Sequence, residues 1–125
     1  MSILQRTSGL RAFVPAKNFA ASRAFYRDLG ATERPIDPKM VLFELGDSAF
    51  YLQDAYVKDW AENTMLFLFV DDLDGLWAEL QAADLVNRYP GVRWKAPTDY
   101  PWGLREIHLL DPAGVLWHFA EELAR

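Results

Sequence analysis

Few residues in this chain have side chains that could carry out chemistry. There are two histidines, His108 and His118, and no cysteine that could act as a thiolate nucleophile. Both histidines lie in expected strands. His108 is predicted to be a half-exposed strand residue rather than a base, whereas His118 is either a partly buried histidine bonded to a neighbour or a ligand contact. The chain has neither a Gly-x-Ser-x-Gly elbow nor a glycine-rich phosphate loop. No catalytic group is therefore predicted, although Glu44 and Glu106 could approach a binding cavity.

The bulk composition is typical of one globular domain. A length of 125 residues suits a single domain, and 51% hydrophobic with 14% aromatic residues is enough for a packed core with rings left for a binding surface. The 13 basic and 18 acidic residues give a net charge of -5, which disfavours nucleic acid or an anionic membrane as partner. The first nine residues do not have the pattern of a secretory signal, and no apolar run is long enough to cross a bilayer. We expect one cytoplasmic domain over residues 1–125.

The hydrophobic pattern predicts a unit of one strand, one helix and three strands that occurs twice. In the first half, Asn18 is a good N-cap and Gly30 a good terminator for a helix between them. In the second half, Asp71 or Asp72 is expected to cap the helix. The predicted strands are residues 10–14, 33–37 (short or irregular), 40–45, 49–53, 65–70, 93–95, 105–110 and 115–120. This order indicates a mixed α+β domain with an internal duplication.

A tight turn joins the last two predicted strands. Asp111-Pro-Ala-Gly114 has proline where the turn needs a fixed φ and glycine where it needs conformational freedom. An aromatic loop, Pro-Trp-Gly around Trp102, leads into the hairpin. The sequence therefore predicts a hairpin with an indole at its entrance.

Residues 18–30 have Phe-Tyr before Leu-Gly, residues 62–74 contain a predicted strand and helix start, and residues 100–121 contain the predicted hairpin. These three segments resemble the bleomycin resistance proteins, drug-binding members of the vicinal oxygen chelate superfamily that includes glyoxalase I. The resemblance implies two βαβββ modules, about residues 10–61 and 62–125, whose curved mixed sheets enclose a cavity. It also implies a homodimer that exchanges N-terminal strands and has ligand sites at the interface. Residues 1–9 offer few core-forming side chains, and Pro15 could direct the first strand towards a partner.

The superfamily's enzymes bind a divalent metal through residues on several cavity strands, and the resemblance places Arg11, Met65 and His118 at such positions. Arginine stays protonated and a thioether is too soft for Mg²⁺, Mn²⁺ or Fe²⁺. His118, even with Gln53, falls short of the three protein donors of a usual catalytic site. We therefore predict no metal and no cofactor, and a protein that is not an enzyme. A metal-dependent lyase, isomerase or thiol transferase stays as the alternative.

The aromatic residues favour ligand binding. Strand alternation puts Met65, Phe67 and Phe69 on one face and the intervening apolar residues on the other, packed under a helix. An indole such as Trp102 can stack on a flat group for about 0.5–1.5 kcal/mol beyond area burial. The resemblance implies that Phe67 and Trp102 hold the planar bithiazole of bleomycin. The predicted ligand-binding residues are Phe13, Arg34, Met40, Gln53, Phe67, Phe69, Trp102 and His118.

Some positions depart from the family's drug-binding pattern. Arg34, Pro35 and Met40 stand where binders carry acidic and aromatic residues, and Val115 replaces a polar asparagine. Another flat or amphipathic compound thus remains open as the ligand. The leading hypothesis is stoichiometric sequestration of bleomycin-like molecules that confers resistance. The other hypotheses are the metal-dependent enzyme and a small-metabolite sensor or immunity domain of the same architecture.

Overall fold

The computed structural model describes residues 3–124 and has an α+β architecture of two four-stranded sheets. The first half of the chain contains β1 (Arg11–Pro15), α1 (Phe19–Leu29), β2 (Thr32–Asp37), β3 (Met40–Leu45) and β4 (Ser48–Gln53). A short helix, α2 (Lys58–Glu62), leads to the second half. That half contains β5 (Met65–Phe69), α3 (Leu73–Ala83), α4 (Leu85–Arg88), β6 (Arg93–Asp99), β7 (Leu104–Leu110) and β8 (Leu116–Glu122). The predicted repeat of βαβββ modules is confirmed.

The two sheets have the same topology. Strand order is β1-β4-β3-β2 in the first sheet and β5-β8-β7-β6 in the second. In each sheet the first strand runs parallel to the last, and the other neighbours are antiparallel. Each sheet also has one shift in register, between Pro35 and Asp37 in β2 and between Lys95 and Thr98 in β6. The parallel pairs place the first strand of each module at one edge of its sheet.

The two long helices begin where capping side chains meet free backbone amides. The Asn18 side chain accepts a hydrogen bond from the Ala21 amide at 3.0 Å, and Gly30 ends α1 with a φ of 107°. Of the two aspartates considered for α3, Asp72 is the cap, and it accepts from the Gly75 amide at 3.1 Å. The capping residues therefore set the helix starts as the sequence predicted.

The core joins the two sheets through the aromatic residues of α1. Tyr26 is fully buried, and its ring contacts Phe43, Phe50 and Trp117. Its hydroxyl donates to Asp111 Oδ2 at 2.5 Å and accepts from Trp117 Nε1 at 2.9 Å. Burial and the neighbouring Asp111 carboxylate raise the pKa of Tyr26 well above its ordinary value. This network attaches the first module's helix to the second module's hairpin.

The hairpin turn is held by Asp111. Its Oδ1 accepts from the amides of Ala113 and Val115 at 2.8 and 2.9 Å, and the Gly114 amide bonds to the Asp111 carbonyl at 3.0 Å. Gly114 has a φ of 95°, which explains the glycine at this position. The predicted turn is confirmed, and Val115 is fully buried beneath it.

Some elements differ from the sequence predictions. Strand β2 is a full six-residue strand, and β6 continues to Asp99 beyond the predicted residues 93–95, because both cross a register shift that interrupts regular alternation. Helices α2 and α4 and a 3₁₀ turn at Ile3–Arg6 were not predicted, since each is too short for an apolar stripe. Met1 and Ser2, the start of the segment expected to exchange between subunits, lie outside the described residues. None of the helices in residues 3–124 is long and apolar enough to span a membrane.

Candidate functional site

An exposed apolar surface covers one side of β5. Met65, Phe67 and Phe69 are 66%, 48% and 61% exposed, whereas Leu66 and Leu68 pack against the core. The predicted alternation is therefore confirmed, and Phe67 is not a core residue. The rings of Phe67 and Phe69 touch at a centroid distance of 5.2 Å. We call Met65, Phe67, Phe69 and the indole of Trp102 the aromatic face.

The Trp102 loop presents its indole to solvent in a fixed orientation. A tight turn closes the loop, because the Gly103 amide bonds to the Tyr100 carbonyl at 3.1 Å and Gly103 adopts a φ of 91°. Trp102 is 62% exposed, and its ring lies parallel to that of Tyr100 at a centroid distance of 4.5 Å. Its Nε1 donates to Glu106 Oε2 at 2.7 Å. Stacking on one face and a hydrogen bond at the edge leave the other face of the indole available.

Glu106 is the centre of the polar part of this surface. Its side chain is only 2% exposed, and it accepts from both histidines through Oε1, from His108 Nε2 and from His118 Nδ1, each at 2.9 Å. Burial alone would raise the pKa of Glu106. The hydrogen bonds from His118, His108 and Trp102 outweigh this effect and hold the pKa below its ordinary value. Glu106 therefore stays ionised, and we call it, with the two histidines, the histidine–carboxylate cluster.

Strand pairing places the two imidazoles together. His108 and His118 are directly opposite each other in β7 and β8, and their rings meet edge to face at 4.5 Å. Phe67 stacks on His118 at 5.2 Å, while Tyr100 stacks on His108 at 5.6 Å. The Lys95 ammonium donates to the Tyr100 hydroxyl at 3.2 Å. The cluster is thus held between two aromatic rings.

The other predicted site residues lie on the first sheet. Register places Phe13, Arg34, Met40 and Gln53 on one face of that sheet, with Met40 directly opposite Gln53. Phe13 is 50% exposed. The side chain of Arg34 forms an ion pair with Glu44, which offsets its charge. The structure thus divides the predicted ligand-binding residues into two groups, one on each sheet.

Three contributors to these surfaces were missed from sequence. Tyr51 stacks on Phe13 at 5.0 Å, and Tyr100 supports Trp102. Glu106 was predicted only as a carboxylate near the cavity. Its spacing from His108 was a usable signal, because alternate residues of a strand share a face.

A groove of about 270 Å³ lies between the sheets. It is lined by Leu10, Ala12, Leu45, Ser48, Ala49, Phe50, Leu66, Phe67, Leu68 and Trp117.

Comparison of the chain with known proteins identifies the class to which this fold belongs. The chain belongs to the Glyoxalase/Bleomycin resistance protein/Dioxygenase superfamily, whose family model matches residues 10–119. No curated protein matches the chain at significant similarity.

Solved structures with the same fold include three bleomycin-related proteins. A bleomycin-binding protein complexed with bleomycin has a TM-score of 0.79 and 23% identity, covering 93% of this chain and 99% of its own. The bleomycin-binding protein of Streptomyces verticillus, complexed with copper(II)-bleomycin, has a TM-score of 0.77 and 24% identity over 96% and 98%. A bleomycin resistance determinant encoded on transposon Tn5 has a TM-score of 0.77 and 22% identity over 93% and 98%. At these identities the likeness establishes the fold.

Of the three residues that the resemblance places at metal-binding positions, Arg11 and Met65 do not fit a metal ion. The Arg11 guanidinium donates to the Tyr51 hydroxyl at 2.7 Å and lies over that ring, so it is a cationic donor rather than a ligand. Met65 offers a thioether on an exposed strand edge. We therefore derive no reaction step through a metal at these positions.

Proposed function

We propose that this protein binds flat aromatic or amphipathic small molecules without changing them chemically, and that bleomycin-like compounds are the leading candidates. The observation that carries the proposal is the aromatic face. Phe67 and Trp102 are about half exposed or more, yet each ring is oriented by a stacked neighbour. Rings held in place before binding lose little conformational freedom when a ligand stacks on them.

The comparisons support a ligand of this kind. Two of the similar proteins were solved with bleomycin or copper(II)-bleomycin bound. The family resemblance assigns the bithiazole contacts to the positions of Phe67 and Trp102. The pairing of Arg34 with Glu44 lowers the repulsion that a free guanidinium would exert on a cationic drug tail. Sequestration and resistance would then require only tight binding, because nanomolar affinity corresponds to about −12 kcal/mol.

We also propose that the protein acts as a cytoplasmic homodimer with exchange of N-terminal segments. The proposal rests on the resemblance and on two open faces in one chain, marked by half-exposed Phe13 on the first sheet and Phe67 on the second. A partner copy would bring a face of each kind together around the ligand. Light scattering at micromolar concentration tests this, and a clean monomer would reject it.

Calorimetric titration with metal-free and with copper-loaded bleomycin tests the binding function. We expect saturation at one drug molecule per chain. Trp102→Ala removes a stacking partner worth about 0.5–1.5 kcal/mol as well as apolar contact area, so we expect affinity to fall about tenfold or more. Phe67→Ala should act similarly. Tyr56→Ala is the matched control. Tyr56 is another exposed ring, 37% accessible, that contacts Lys17 and lies outside the aromatic face and the open face of the first sheet.

Two results would contradict this function. One is saturable binding that Trp102→Ala and Phe67→Ala leave unchanged, which would place the ligand elsewhere. The other is chemical conversion of the ligand, detected by chromatography of the recovered compound. Turnover of a glutathione adduct would favour the lyase, isomerase or thiol transferase alternative.

A further inference from the structure

The histidine–carboxylate cluster has a donor set that the function proposed above does not use. Glu106, His108 and His118 each offer one ligand atom, and these atoms all lie within 4.8 Å of one another. We propose that His108 Nε2, His118 Nδ1 and Glu106 Oε1 bind one divalent transition-metal ion of the zinc type. Glu106 and His108 lie on β7 and are not among the positions that the resemblance associates with the superfamily's metal; His118 on β8 is the one donor that the two sets share.

The distances suit such an ion. Glu106 Oε1 is 2.9 Å from His108 Nε2 and 2.9 Å from His118 Nδ1. An ion about 2.0–2.2 Å from nitrogen and oxygen ligands needs neighbouring donors about 3 Å apart, so small side-chain movements are sufficient. Two imidazoles and one carboxylate form a known zinc set that leaves a further position for water or another ligand.

The surroundings orient these donors before an ion arrives. Trp102 Nε1 holds the second carboxylate oxygen at 2.7 Å, so Oε1 faces the imidazoles. Phe67 and Tyr100 pack against the outer faces of the two histidine rings. Bonds and packing of this type set ligand orientation in metal sites, and their loss typically weakens affinity about 10–100-fold.

Burial and charge also favour a cation here. The Glu106 side chain is 2% exposed, whereas those of His108 and His118 are 26% and 19% exposed. An ion can therefore reach the cluster past the imidazoles and meet a carboxylate shielded from water. On binding, each facing nitrogen presents its lone pair, so its ring proton moves to the other nitrogen or to solvent. Lys95 is paired directly opposite His108, and its ammonium, which donates to the Tyr100 hydroxyl at 3.2 Å, is an unfavourable charge near the ion.

Titration of chelator-treated protein with Zn²⁺ alone, in competition with a chromophoric chelator, tests the proposal. We expect one ion per chain and micromolar or tighter affinity, with visible ligand-field absorption when Co²⁺ replaces Zn²⁺. His118→Phe keeps a ring on Phe67 but removes the nitrogen, and Glu106→Gln keeps the side-chain size. Each of these two substitutions should weaken Zn²⁺ binding about 100-fold or more. Trp102→Phe removes only the hydrogen bond to the second carboxylate oxygen, so it should weaken Zn²⁺ binding less, by about tenfold.

Glu79→Gln is the matched control, because it removes an exposed carboxylate from α3 outside the cluster. Circular dichroism checks that each variant is folded, and Trp102→Phe and His118→Phe keep the test valid if Glu106→Gln does not fold. Zn²⁺ binding that His118→Phe leaves unchanged, or no binding below about 100 µM in the parent protein, would overturn the proposal. Bleomycin affinity is measured separately on metal-free protein, so failure of the metal site and failure of the binding function are distinguishable.

Discussion

The buried hydroxyl of Tyr26 serves two partners at once, and Tyr26→Phe removes it while keeping the ring. The Asp111 carboxylate then loses a donor and Trp117 Nε1 loses its acceptor. Tyr26 and Asp111 are fully buried and Trp117 nearly so, which leaves water little access to replace the hydroxyl.

The expected cost follows from the two partners left without a bond. Each unsatisfied buried group costs about 1–3 kcal/mol, so the free energy of unfolding should fall by about 2–6 kcal/mol. For a protein of this length about 1 kcal/mol corresponds to about 4 °C in the melting temperature, so the Tm should fall by about 8 °C or more.

The loss should also depend on pH. Burial raises the pKa of Asp111 above 3.8, and the Tyr26 hydrogen bond partly opposes this increase. The variant should therefore have a still higher Asp111 pKa. A group whose folded pKa exceeds its unfolded pKa makes the protein less stable as pH rises between the two values. The unfolding free energies of wild type and Tyr26→Phe should therefore diverge as pH rises from about 3.8 through the folded pKa values of Asp111.

Urea unfolding followed by far-ultraviolet circular dichroism at several pH values measures both effects. Tyr89→Phe is the matched control, because its hydroxyl bonds to Asp28 at the protein surface. We expect it to cost less than about 1 kcal/mol. A loss below about 1 kcal/mol for Tyr26→Phe, or a loss equal at all pH values, would refute the reasoning.

Three further substitutions test other parts of the structure. Asn18→Ala removes the cap of the Ala21 amide and should cost about 1 kcal/mol in urea unfolding, with Asn18→Asp as the control that keeps the cap. Gly114→Ala forces a side chain into a φ of 95° and should cost about 1–3 kcal/mol, and an unchanged Tm would contradict the strain. The pKa of Glu106 is below 4.5 in the folded protein. Its ionised form therefore contributes to the free energy of unfolding above about pH 4.5, and this contribution is lost as pH falls through the folded pKa. The difference in unfolding free energy between wild type and Glu106→Gln should therefore shrink in acid, and a difference that grows in acid would contradict this.

The sequence was a good guide to elements and faces. Capping residues predicted both long helices, and alternation in β5 predicted which residues are exposed, because both signals are local. It was a poorer guide to the polar cluster. Glu106 and His108 share a strand face by spacing, but which face is buried depends on the pairing of β7 with β8. That register brings His118 opposite His108, and only the folded hairpin determines it.

The position of β5 at the edge of its sheet affects the tendency of the protein to aggregate at high concentration. Within residues 3–124 this strand has a neighbour on one side only, β8, and its five residues, Met-Leu-Phe-Leu-Phe, have no charge and no proline. An edge of this composition can add strands from other molecules and so promote aggregation. Cells that make much of this protein would thus need another surface to cover β5 soon after synthesis.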